Sequence, residues 1–404
     1  MEHHARLPIG DFKTELRSDA AGYYIYLPGF LHHRMRIGWI NPDHLHTIGL
    51  ENLEDTTRNL IITKYTYGTA LLELPFYLMA DLVEGFGATD GFTPTHHRAI
   101  DLAGIFYWWA GLIMLWSALQ RRWRLPWGVA VPALFILSQG TNVFYYAFRS
   151  PGYSHIYSWF LACVALWSWT HGLVDHGGRR RAWLFRLACA WLILIRPLDV
   201  LLVLALYAFV LSTEGPGILR GRWIVGQLLV GTILAAPQLI YWKAAFGSWI
   251  YFSYQGEGFT NWESPFLMQT LLAPKNGWIP YAPSFVLLPM ALWALWKREK
   301  TTVIISSVLF LLYWYAVSSW SEPSFGCSFG QRSLVQTVPI LALVVWATIH
   351  SWWPSLRWII LAIVPAFMVL ALMNHMHAQL YDVCYWASEW DWGQYLADIG
   401  KVLK

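Results

Sequence analysis

Charge is what this chain has least of. Only 13% of its 404 residues are Asp, Glu, Lys or Arg, whereas 56% are hydrophobic and the mean hydropathy is +0.39. That balance excludes a solvating or disordered chain, and the apolar residues come in long blocks that a soluble core would not need. Cysteine is scarce as well. Cys163, Cys189, Cys327 and Cys384 lie far apart, with no CxxC pair and no histidine at metal spacing, which excludes a disulfide framework or a zinc module. No block of Lys and Arg interleaved with aromatics occurs, so nucleic acid is not an expected partner.

Apolar runs fill the place of the missing charge. They cover Ile100 to Leu119, Trp127 to Tyr146, His155 to Thr170, Trp183 to Leu211, Trp223 to Trp242, Ser284 to Trp296, Thr302 to Trp320, Leu334 to Ile349 and Trp358 to Leu372. Most match the ~20 apolar residues that span a bilayer, and only a helix satisfies its own backbone in lipid. The run from Trp183 to Leu211 is too long for one crossing, and Arg196-Pro197 breaks it near its middle, which predicts a tight pair of short helices. The expected fold class is an all-α polytopic membrane protein with about ten transmembrane helices. The 27 Trp and 21 Tyr suit two interfacial belts.

Five basic clusters orient the chain: Arg121 to Arg124, Arg179 to Arg181, Arg220 with Arg222, Lys297 to Lys300, and Arg357. Counting crossings puts all five on one side, which the positive-inside rule makes cytoplasmic. The opposite side then receives Arg149 to Tyr153, Lys243 to Pro283, Ser321 to Arg332 and the tail after Leu372. Before Ile100, the apolar stretch Thr66 to Gly85 carries Glu73, Pro75 and Asp81, and such charges favour a helix lying in the outer leaflet over one that crosses. The expected organisation is an outer-face first loop with this interfacial helix over 1–98, a transmembrane helical domain over 99–374, and a short outer-face tail over 375–404.

The outer side also holds the unusual chemistry. Asp19 precedes Gly22, Tyr23, Tyr24 and Tyr26, a pattern in which a carboxylate can act as general base beside an aromatic wall; its ordinary alternative is a solvated Asp on an interfacial turn. Lys64 and Tyr65 stand at the mouth of the Thr66 to Gly85 segment, where a compact cation suits a lipid phosphate, although a lysine snorkelling to the interface is equally common. Gly140 to Tyr146, Arg149 and then Gly152-Tyr153-Ser154-His155 place polar groups at helix ends, where they either bind a ligand or bond their neighbours. Ser321 to Arg332 forms a Ser- and Gly-rich loop ending in Phe329-Gly330-Gln331-Arg332, with Arg332 at a helix start suited to an anion or to simple anchoring. Glu257, Glu263 and Asp391 are weaker acidic candidates.

In their order these motifs resemble the GT-C superfamily of membrane glycosyltransferases, the polyprenyl- or dolichyl-phosphate-sugar-dependent enzymes that include protein mannosyltransferases and the aminoarabinose transferases of lipid A. The likeness rests on Asp19 before Tyr23, Tyr24 and Tyr26, on the Lys64 to Leu82 segment, on the Arg196-Pro197 hairpin and on Phe329 to Arg332. It spans most of the chain by pattern more than by identity. It implies an inverting transfer of sugar from a polyprenyl-phosphate donor to a lipid, glycan or protein acceptor, with Asp19 as catalytic base or metal-associated carboxylate and Lys64 and Arg332 on the donor phosphate; Tyr23, Tyr24, Tyr65, Arg149 and His155, on the same side, are the further candidates for the substrate site. A divalent cation, Mg or Mn, serves some relatives; Ala20 after Asp19 leaves no second acidic partner for one.

The implied location is a bacterial inner membrane with the site on the periplasmic side. The family has a transmembrane helix before its acidic motif, whereas Met1 to Ser18 is polar with no signal peptide, so a first helix is expected to be missing before Met1. The competing expectation is a secondary transporter using the broken helix at Arg196-Pro197 as a substrate site.

Overall fold

The computed structural model describes residues 16–41, 54–173, 178–254, 256–326, 328–380 and 391–402. Cys327 and Cys384 lie outside these; Cys163 and Cys189 are free and buried.

Almost every described element is a helix. Two short ones open the chain, α1 (Asp19–Tyr24) and α2 (Tyr26–Leu31), followed by a minimal antiparallel pair, β1 (Glu54–Asp55) with β2 (Leu60–Ile61). Then come α3 (Gly68–Glu84), α4 (Pro94–Arg122), α5 (Trp127–Gln139), α6 (Val143–Phe148), α7 (Ser154–Thr170), α8 (Gly178–Ile195), α9 (Val200–Glu214) and α10 (Gly221–Phe246). The chain continues through α11 (Leu267–Leu272), α12 (Trp278–Tyr281), α13 (Leu288–Leu295), α14 (Lys300–Ser318), α15 (Val338–Leu380) and α16 (Trp392–Val402).

Among the described residues, five helical segments are long and apolar enough to cross a bilayer: Pro94–Arg122, Pro197–Glu214, Gly221–Phe246, Lys300–Ser318 and Arg332–Ala378. Trp127–Gln139 and Pro283–Leu295 are apolar but shorter. The protein is therefore an all-α integral membrane protein. Its lipid-facing character is plain on α10, which exposes Val225, Leu228, Ile233 and Ile240 on its outside, a surface that water would penalise and hydrocarbon accepts.

Several expected runs are subdivided. The run from Trp127 to Tyr146 ends as a helix at Gln139 and resumes as α6, because Gly140 to Asn142 break it. The last two runs form one continuous element, α15, bent where Leu356 leaves helical geometry (φ −121°, ψ 20°) just after Pro354. The expected hairpin is present: α8 and α9 meet at a short 3₁₀ turn, Pro197–Asp199, whose proline cannot continue α8. Past residue 375, α15 runs on to Leu380 and α16 adds another helical segment.

The basic loops gather at one end of the bundle. Arg298 donates to the Ser351 carbonyl (2.8 Å), Trp123 donates to Glu299 (3.2 Å), Trp346 donates to the Trp123 carbonyl (3.0 Å), and Arg122 lies over the Trp169 ring (5.6 Å). Trp169 is at the C-terminal end of α7; the helix's other end, ~25 Å away at the usual rise per residue, begins with Ser154 and His155. That opposite end carries Asp19, Lys64 and Arg332. α3 stays near it, pairing with the first half of α4: Tyr107 donates to the Leu72 carbonyl (2.7 Å), and Thr93, just before α4, donates to Glu84 (3.1 Å).

Candidate active site

The site starts from an unusual piece of backbone. Ser18 has a positive φ of 51°, which turns the chain sharply into α1 and leaves Asp19 at its first position. Asp19 is partly covered, and both of its carboxylate oxygens are held. One accepts from Tyr65 Oη (2.5 Å) and the other from Arg332 Nη2 (2.7 Å). Tyr65 reaches Asp19 because Gly22, one turn into α1, has no side chain: a Cβ there would meet the Tyr65 ring at 2.5 Å. Gly330, with φ of 68°, does the same for the Arg332 loop, bringing its backbone against Tyr281.

Electrostatics fix the carboxylate's charge. Burial pushes the Asp19 pKa up, but the Arg332 guanidinium, the Tyr65 hydroxyl and the Lys64 ammonium together hold it below the ordinary carboxylate range. Tyr65 moves the other way. Burial, Asp19 and Tyr23 raise it well above a free phenol, so it stays a hydrogen-bond donor. Lys64 itself pairs with Glu257 (2.7 Å), both side chains remaining partly exposed, and lies 5.3 Å from the centre of the Tyr254 ring.

Around this core the expected residues separate into those that converge and those that do not. Tyr23 packs against Tyr65 with the rings tilted and their centres 4.3 Å apart, and accepts from Ser154 (3.2 Å), the residue before His155. His155 in turn faces Arg196, whose Nη1 is 3.0 Å from Nδ1, while Arg196 Nη2 donates to Ser333 (3.0 Å), next to Arg332. Tyr153 lies under the Arg332 guanidinium at 5.0 Å. Asp19, Tyr23, Lys64, Tyr65, His155 and Arg332 thus form one connected cluster. Arg149 closes α6 at the same end, half-buried, its amide donating to the Tyr145 carbonyl (2.8 Å).

Tyr24 lies apart from this cluster. Its hydroxyl donates to the Gly91 carbonyl (2.6 Å) and its ring packs on Tyr77 and Phe92, within a second hydrophobic core. The reason is helical phase: one residue beyond Tyr23, the side chain leaves the helix ~100° around from Tyr23. Conversely, Arg196 joins the cluster from the break at Arg196-Pro197 and Ser154 from the polar helix end Gly152 to His155, whereas Ser333 and Tyr254 carry no sequence signal of their own.

A divalent cation would compete for the same carboxylate. Both Asp19 oxygens are engaged by an arginine and a tyrosine, the surrounding charges are cationic, and among the described residues no group of three or more His, Cys, Asp or Glu side chains could hold a metal ion. The donor set does not fit a tightly bound divalent metal.

Comparison with known proteins adds the fold. No protein-family model and no curated protein matches the chain. Among solved structures it is similar to ArnT from Cupriavidus metallidurans in the apo state, at 15% identity and a TM-score of 0.53, covering 97% of this chain and 73% of that one. It is also similar to the same protein bound to undecaprenyl phosphate, at 14% identity and a TM-score of 0.54, covering 98% and 74%. At these identities the likeness shows the fold alone: the chain folds as those ArnT structures do.

Proposed function

We propose that this chain is an inverting membrane glycosyltransferase that moves a sugar from a polyprenyl-phosphate donor to a lipid, glycan or protein acceptor at the outer, periplasmic face of a bacterial inner membrane. The observation that carries the reading is the Asp19 carboxylate held by Arg332 and Tyr65, beside Lys64, at the end of the bundle opposite the basic loops. The ArnT likeness supports it, since one of those structures is bound to undecaprenyl phosphate. About ten crossings belong to the same reading, with α3 lying in the outer leaflet. A secondary transporter holds its substrate near mid-membrane between related halves, whereas these polar groups gather towards one end.

The chemistry divides between a base and cations. The acceptor's nucleophilic heteroatom attacks the anomeric carbon; the carbon–oxygen bond to phosphate breaks, and the lipid phosphate leaves with the bonding pair. The acceptor proton goes to Asp19. Arg332 and Lys64 stabilise charge growing on the phosphate. A carboxylate clamped by Arg332 is a weak base, so the reading needs Arg332 to shift from Asp19 towards the bound phosphate, which restores basicity when substrate is present. Tyr23 and Tyr65 offer ring faces to the sugar.

The test is transfer of labelled sugar from a polyprenyl-phosphate donor by the purified protein, with Asp19→Asn as the comparison. Transfer by wild type and its loss in Asp19→Asn is the expected outcome. Full activity in Asp19→Asn removes Asp19 from the role of base.

A further inference from the structure

Three cations belong to the cluster, and two of them are already neutralised. Arg332 holds Asp19 and Lys64 holds Glu257. Arg196 is different: it forms no ion pair with a described residue, and its guanidinium is held by neutral groups, the His155 ring and the Ser333 hydroxyl. A guanidinium only donates, so the imidazole nitrogen it faces is unprotonated and contributes no charge. Its Nε is buried with no hydrogen-bond partner. Asp199, three residues on, turns its carboxylate instead to Tyr313 (2.6 Å) and Gln336 (3.1 Å), which anchor the Pro197–Asp199 turn. Arg196 therefore feels the Asp199 carboxylate only through space and makes no contact ion pair with it, and it keeps an unused donor in a braced turn beside the neighbours of Arg332. The charges of Arg196 and Arg332 both bear on Tyr23 and on His155.

Leaving such a cation unpaired in a partly buried site is costly unless an anion completes it. Donor and product differ in the anion they bring. A glycosyl phosphodiester carries one negative charge; once the anomeric carbon–oxygen bond breaks, the freed phosphate monoester bears up to two. We propose that Arg196, held by His155 and Ser333, forms a phosphate subsite that meets the second charge of the departing polyprenyl monophosphate. This rests on the glycosyltransferase reading and deepens it: Arg332 and Lys64 must exchange carboxylate partners to bind phosphate, whereas Arg196 has none to release. The subsite discriminates a phosphate dianion from a monoanionic diester.

The experiment uses full-length protein in detergent or lipid nanodiscs, with a short-chain polyprenyl monophosphate and its methyl phosphodiester as binding probes. Arg196→Gln should weaken the monophosphate about tenfold or more while changing the diester less than threefold, with a charge-assisted bond lost only where the extra charge exists. Arg196→Lys should restore part of the monophosphate affinity. Ser333→Ala, which removes one holder and keeps the charge, should weaken monophosphate more than diester, and it serves if Arg196→Gln does not fold. Equal weakening of both probes, or unchanged monophosphate affinity in Arg196→Gln while Lys64→Ala loses it, overturns the subsite and leaves the glycosyltransferase reading standing. Wild type that binds neither probe overturns both.

Discussion

The guanidinium of Arg332 meets the carboxylate of Asp19 at 2.7 Å across 313 residues of sequence. This contact joins the first described helix to the loop before α15. It is both an ion pair in a partly buried place and the point where base and cation of the proposed reaction hold each other at rest.

The pair predicts a strong asymmetry between its partners. Asp19→Asn should lower turnover by roughly 100-fold or more, the usual scale for a lost general base, while Arg332→Gln should affect both turnover and the donor's KM. Steady-state kinetics with a polyprenyl-phosphate donor checks this; equal, small changes in both variants would contradict it.

A pH effect follows with a definite sign. Because the folded Asp19 pKa lies below its ordinary value of 3.8, its contribution to stability is fully present above that value. It is lost as the pH falls further, through the folded value. Thermal unfolding of the detergent-solubilised protein from pH 7 downward should therefore show wild type converging on Asp19→Asn only below about pH 4. Convergence already near pH 6 would contradict a depressed carboxylate.

Gly22 predicts a steric switch. With the Tyr65 ring 2.5 Å from where a Cβ would stand, Gly22→Ala should push Tyr65 off Asp19 and mimic Tyr65→Phe in activity. Activity measured on Gly22→Ala, Tyr65→Phe and the double variant should show no additivity, since the two changes remove one contact. Fully additive losses would separate Gly22 from Tyr65.

Lys64 and Glu257 form an ion pair exposed enough to add little to stability, on the order of 0–1 kcal/mol. Glu257→Gln should leave the unfolding temperature nearly unchanged and lower the donor's KM, because it frees Lys64 for phosphate. A raised KM would assign Glu257 to substrate binding instead.

Sidedness has its own test. In a background without native cysteines, a single cysteine replacing exposed Glu263 should react with an impermeant maleimide from outside the cell, and one replacing exposed Arg180 only after permeabilisation. The reverse pattern would invert the orientation.

What the sequence made legible follows from which physical signals are local. Long apolar runs and one-sided Arg loops depend on composition, so membrane embedding and the common end of Arg124, Arg298 and Arg357 were readable in advance. Arg196-Pro197 was readable as a break because proline removes a donor within its own helix. The role of the arginine beside it was not, since His155 and Ser333 lie 41 and 137 residues away. Tyr23 and Tyr24 look equivalent in a Tyr-rich stretch, and only helical phase separates the one on Tyr65 from the one under Gly91. Glu257 ranked no higher than Glu263 until the chain folded it onto Lys64.

The most direct test of the whole account is sugar transfer from a polyprenyl-phosphate donor, measured with purified wild type and Asp19→Asn side by side. The account predicts robust transfer by wild type and at least a ~100-fold loss in the variant, with both proteins equally folded. Equal transfer by the two would contradict the central role given to Asp19, and no transfer by wild type from any such donor would contradict the glycosyltransferase reading itself.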